Sequence, residues 1–183
     1  VEHGSDLTIT ITPDTGYCIE KITLDNVEQD IPADKKLELK NITDNHTVSI
    51  TYAIDSNGDD VPDKYQKKIT FIVVNGTWSD GTTANKVVYV TLVDANNKWS
   101  EDGTGTLTAP TDMKAATGYN GGSWDTEVPT TVNKNTTPDT YTYTFSKNTY
   151  TVSITNGEGG SSNPSGNTTV NHGDDLTIAI TPN

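Results

Sequence analysis

Apolar residues alternate with threonine along much of the chain. Leu7, Ile9 and Ile11 interleave with Thr8, Thr10 and Thr12, and Val88, Val90 and Leu92 stand at every second position. Residues 47–52 (TVSITY) and 140–145 (TYTYTF) repeat the pattern. A period of two suits a half-buried strand, because successive side chains point to opposite faces. The pattern predicts strands with Leu7, Ile9 and Ile11 inward and the threonines outward, and with Val88, Val90 and Leu92 inward in a second module. Further strands are predicted over 69–74, 87–93 and 150–155. Asn75-Gly76 and Asn156-Gly157 punctuate them as turns. One short helix is predicted over 111–116, opened by a Thr or Asp cap after Pro110. The expected fold class is mainly β, α+β at most.

The two ends of the chain repeat each other. Residues 1–14 read VEHGSDLTITITPD and residues 170–183 read VNHGDDLTIAITPN, identical at ten of fourteen positions with an offset of 169. The chain therefore reads as slightly more than one period of a tandem array, beginning inside one unit and ending inside the next. A weaker duplication lies within the period: strand, Asn-Gly and polar turn recur at 69–93 and 149–183, and Thr-Gly-Tyr recurs at 15–17 and 117–119. The expected organisation is a module over 1–54 lacking its first strand, an Asp-rich linker over 55–66, a companion β-module over 67–147, and the first hairpin of the next repeat over 148–183. A lone hairpin is marginal in water, so 148–183 is expected to dock by strand addition on residues 1–53, of its own chain or of another molecule.

Composition narrows the function classes. There are 33 threonines, 17 asparagines and 18 aspartates against 7 glutamates, which favours strands and turns. All 12 basic residues are lysine and the net charge is −13. Such a chain is not expected to bind nucleic acid or an anionic lipid surface. No apolar run approaches the roughly 20 residues of a membrane span, and no secretory leader is read. The single cysteine, Cys18, excludes an internal disulfide and a Cys-based zinc site, and is expected to be a small core residue. The chain is not expected to be an enzyme. His3 and His172 occupy the same repeat position before a glycine, His46 sits at a strand mouth, and no nucleophile elbow, zinc-protease motif or phosphate loop is present.

The segments TYTVSI, GEGG and HGDDLTI…P, continued by TGY…LDN and NITDNHTVSITY, resemble the divergent internalin-type B-repeats of Gram-positive surface proteins. The resemblance covers about 1–54 and 149–183. Residues 67–147, with NGTW and GYNGGSW, are similar to a companion module that alternates with such repeats. The resemblance implies two small β-grasp-like modules in a cell-surface stalk or adhesin, hence an extracellular location.

One candidate metal site lies between the modules. In DSNGDDVPDKYQ, Asp55, Asn57 and Asp59 hold positions 1, 3 and 5 of a calcium loop, the Val61 carbonyl position 7 and Asp63 position 9. Alternate oxygen donors can face one hard cation, so Ca2+ is the candidate cofactor. Asp60 replaces the usual Gly at position 6, and Gln66 replaces the bidentate Glu at position 12. The same run also reads as an acidic, turn-rich linker; it resembles the Asp-rich calcium linkers of bacterial surface proteins. Trp78, Trp99 and Trp124 each neighbour Asp, Asn or Gly, a setting that suits either a sugar-stacking platform or a core anchor; Trp124 is expected in the core. Three functions follow: a stalk spacer whose partners are adjacent repeats, an adhesin module binding a host or glycan ligand, and a carbohydrate-binding accessory module of a secreted glycosidase.

Overall fold

The computed structural model describes all of residues 1–183, and the chain is mainly β, as its alternation predicts. The strands are β1 (Ser5–Thr10), β2 (Tyr17–Leu24), β3 (Val27–Gln29), β4 (Lys36–Ile42), β5 (Val48–Ile54), β6 (Gln66–Val74), β7 (Gly76–Trp78), β8 (Lys86–Thr91) and β9 (Gly105–Thr106). They continue with β10 (Met113–Ala115), β11 (Tyr119–Trp124), β12 (Thr131–Val132), β13 (Thr140–Lys147), β14 (Thr149–Ile154), β15 (Gly160–Asn163), β16 (Gly166–Asn171) and β17 (Ala179–Pro182). The sole helical element is a 3-10 turn at Asp63–Tyr65. Contacts group the chain into two units: Val1–Lys68 with Tyr89–Leu107 and Thr131–Thr136, and Ile69–Val88 with Thr108–Thr130 and Thr137–Asn183. Residues 89–107 and 131–136 thus fold with 1–68, a grouping that linear boundaries do not convey.

In the first unit β1 pairs antiparallel with β4, and β2 lies between β3 and β5. Asp25 and Asn26 join β2 to β3 with φ of 52° and 68°, the left-handed pair a tight two-residue hairpin requires. Asp25 also fastens the next crossing. Its carboxylate accepts the Thr47 N–H at 2.7 Å and contacts His46 Nδ1 at 2.7 Å, which holds its carboxyl below the ordinary aspartate range. Ile11, Ile19, Ile22 and Leu37 form the core, with Ile9, Ile31, Val48 and Ile50 packed against it. The alternation through β1 and the residue after it is graded: Ile11 is buried, Ile9 half-buried and Leu7, expected inward, exposed. Cys18 is fully buried, as expected of a core residue.

The second unit is built on a four-stranded sheet in the order β11-β13-β6-β8. Its central pair, β13 and β6, is parallel, with Thr140 opposite Thr70 and Thr144 opposite Val74. Parallel strands need a long crossover, supplied here by everything between them in sequence. Ile69, Phe71 and Val73 from β6 and Tyr141 and Phe145 from β13 are buried. The helix predicted over 111–116 does not form. Residues 113–115 are β10, with Met113 opposite Trp78 and Ala115 opposite Gly76. A one-turn helix bears the full nucleation cost for very few hydrogen bonds, whereas the edge of β7 offers a ready ladder.

Residues 148–183 pair with themselves, β14 with β16 and β15 with β17. The sheet β3-β2-β5 takes no strand from them. The completion of 1–53 expected within one chain is therefore not formed. Instead the segment is tied to the second unit: the Asn148 N–H donates to the Gly118 carbonyl at 2.8 Å and Lys147 pairs with Asp174 at 2.7 Å.

Candidate functional site

The Asp55 loop folds around one buried carboxylate. Asp55 is 5% exposed. Its Oδ1 accepts the N–H groups of Gly58 and Asp59 at 2.7 and 3.3 Å, and its Oδ2 accepts that of Asp60 at 2.9 Å. Asp59 takes the Val61 N–H at 3.0 Å, the Asn57 amide at 3.0 Å and Gln66 Nε2 at 2.6 Å. Asp63 takes the Ser56 N–H at 2.9 Å and hydroxyl at 2.5 Å. Asp60, at φ 63°, adopts the left-handed backbone that glycine usually supplies at this position, and its carboxylate pairs with Lys35 at 2.6 Å. All five predicted ligand positions (Asp55, Asn57, Asp59, Val61 and Asp63) thus fall in one closed loop. Their carboxylates are spent on N–H and hydroxyl donors, and no three acidic, His or Cys side chains are grouped to hold a metal ion. The donor types and order still suit a hard cation. Gln66 Oε1, at position 12, is buried without a hydrogen-bond partner.

The three tryptophans divide. Trp78 is fully buried, its Nε1 donating to the Ala84 carbonyl at 2.8 Å and Lys86 Nζ lying 4.5 Å above its ring. Trp124, expected in the core, is only half-buried, edge-on to Phe71 and Tyr143 at 5.4 and 5.3 Å. Trp99 alone faces a sizeable hollow. It stacks on Tyr65 with centroids 6.1 Å apart and 27° between planes.

That hollow is a cleft of about 460 Å3, lined also by Glu20, Lys21, Glu28, Asp30, Asn97 and Lys98. Glu20 pairs with Lys64 and accepts the Tyr65 hydroxyl at 3.0 Å. The Lys64 bond holds the Glu20 carboxyl below its usual range, while burial, reinforced by Glu20, pushes the Tyr65 phenol up. Lys21 pairs with Glu28 at 3.0 Å and Lys98 approaches Asp30 at 3.5 Å. Nothing local in the sequence marks this cleft. It is assembled from β2–β3, the 3-10 turn and the loop 94–99, and only Trp99 carried a signal.

Two of the three histidines have side-chain partners. His46 meets Asp25, and His172 Nδ1 lies 3.2 Å from the Tyr150 hydroxyl. No protein-family model matches the chain, and neither a curated protein nor a solved structure matches it.

Proposed function

We propose that this chain is a non-enzymatic spacer from a tandem array on a bacterial surface, whose partners are neighbouring repeats of the same protein. The observation that carries the reading is the 169-residue repeat, identical at ten of fourteen positions. In the first copy residues 5–10 form β1 on β4, and Ile11 is 4% exposed. In the second copy residues 174–178 belong to no strand, and Ile180, the counterpart of Ile11, is 78% exposed. Ile22 and Leu37 are what cover the first copy, and a neighbouring repeat would supply their like to the second. The extracellular Gram-positive location and the β-grasp-like topology rest on the B-repeat resemblance and belong to the same proposal. The Asp55 loop would serve this role by stiffening a junction, with Asp55, Asn57, Asp59, the Val61 carbonyl and Asp63 holding calcium.

The test uses chains of one, two and three periods, joined in register from residue 169 to residue 1, measured by small-angle X-ray scattering. A spacer adds a constant increment of maximum dimension per period. Collapse into a compact particle that grows only as the cube root of mass would refute the reading.

A further inference from the structure

We propose that the Trp99 cleft binds a neutral carbohydrate. The inference is independent of the spacer reading: it rests on side chains of the first unit and on no feature of the repeat.

The cleft offers polar bonding capacity with its charge already balanced. Each of its three carboxylates has its own lysine: Glu20 has Lys64, Glu28 has Lys21 and Asp30 has Lys98. A cationic ligand would be drawn by carboxylates alone, and an anionic one by lysines alone; here Glu20 and Glu28 are each held by a lysine, and the exposed Asp30 has Lys98 3.5 Å away. A wholly apolar ligand would strip water from these groups without replacing their bonds, which is costly. A paired carboxylate keeps lone pairs for further donors, and a paired ammonium keeps N–H groups for further acceptors. Many donors and acceptors, no net field and an aromatic face describe the complement of a polyhydroxylated ring. Its C–H face would lie on the indole of Trp99, and its hydroxyls would bridge carboxylate and ammonium.

The aromatic face is held in place. Tyr65 backs Trp99 on one side, and a second hollow of about 220 Å3, lined by Ile19, Ile31 and Pro32, opens beside it. The loop that delivers Trp99 is organised by Asp94, whose carboxylate accepts the N–H groups of Asn96 and Lys98 at 2.8 and 2.9 Å. These bonds hold the Asp94 carboxyl below its usual range. Asn97, at φ 59° in the same loop, borders the cleft with its side-chain amide free of hydrogen bonds. The backbone of the platform is held before binding, which limits the entropy lost there, and the cleft volume lies within the usual range of small-ligand sites.

The test presents the whole 183-residue chain to an array of neutral glucans, mannans, galactans and N-acetylhexosamine oligomers beside sialylated and sulfated glycans. The best soluble neutral hit is then titrated by calorimetry. The expected result is binding to neutral glycans whose Kd is unchanged between about 50 mM and about 500 mM salt, since no charges are exchanged. Trp99→Ala should weaken it at least about tenfold and Asn97→Gly several-fold, while Tyr150→Ala should leave it as it was. Asn97→Gly keeps the left-handed backbone, so it reads the polar contact even if Trp99→Ala disturbs folding. Silence of all neutral glycans at millimolar concentration would overturn the proposal. So would salt-sensitive binding confined to charged glycans, or neutral binding indifferent to both Trp99→Ala and Asn97→Gly.

Discussion

Gly118 stands at φ 83°, and a methyl group built on it would lie 2.0 Å from the His172 ring. It therefore serves twice, as the left-handed residue of its turn and as the floor on which residues 148–183 rest. Gly118→Ala should cost about 1–2 kcal/mol from left-handed strain, with the His172 ring forced to turn aside; urea unfolding of the two proteins reads the difference. Asp112 gives a second prediction at this scale. Lys86, foremost, and Ser79 hold its carboxyl down to about 2 from an ordinary 3.8, with Lys86 Nζ and Ser79 Oγ each at 2.8 Å. Because its folded pKa is depressed, the stability it confers is complete above the unfolded value and fades as pH falls through about 2. Asp112→Asn should lower Tm at pH 7, and the gap between variant and parent should close as the pH of the melt approaches 2. Cys18 behaves in the opposite sense. Burial, reinforced by the aspartates of the neighbouring loop, pushes its thiol up to about 11. It should stay unlabelled by a thiol reagent at pH 8 in the folded protein and react fully in denaturant.

At the scale of the element, the Asp55 loop shows how far local sequence reaches. Alternating donors placed Asp55, Asn57, Asp59 and Asp63 in one loop, because Asp and Asn close turns through their own neighbours. The division of labour is tertiary and was not legible: Asp55 alone is buried as the hub, and Asp60 turns out to Lys35. Asp55→Ala would orphan three N–H groups, at a cost of about 1–3 kcal/mol. It should also abolish the calorimetric heat of calcium titration expected of the parent chain. A parent chain silent at millimolar calcium would leave the loop a self-bonded turn and nothing more. The same limit explains the other outcomes. Alternation located β1, β5, β6, β8 and β13, but Leu7 and Val88, read as inward, are exposed, because burial depends on what covers a strand's face. The segment 111–116 was read as a helix because its partner, β7, lies more than thirty residues upstream and leaves no trace in the local pattern. The cleft beside Trp99 escaped for the same reason, being drawn from three separated segments.

At the scale of the molecule, the repeat supplies an internal control that few chains offer. Ile11 and Ile180 share their sequence surroundings, residues 7–9 matching residues 176–178, yet one is core and the other bare. Burial, and hence energetic weight, is set by what lies across from a strand rather than by the strand itself. Ile11→Ala should therefore cost about 2–5 kcal/mol, the usual range for emptying a packed isoleucine site. Ile180→Ala in the same chain should stay within about 0.5 kcal/mol, as for an ordinary surface substitution. Joining a second period at residue 169 converts the question into a test of the array. The isoleucine of the internal copy then meets the Ile22 and Leu37 of its own period and should acquire the cost measured at Ile11. Hydrogen exchange should slow at the same time across residues 174–178, which belong to no strand in the single period. The net charge of −13 per chain argues that this gain is local. Like charges on successive periods repel, but only within a screening length of about 8 Å at physiological salt, so apolar contacts at the junction decide whether neighbours join while charge keeps more distant ones apart. An alanine cost that stays negligible in the two-period chain would mean that the added period does not fold as the first does.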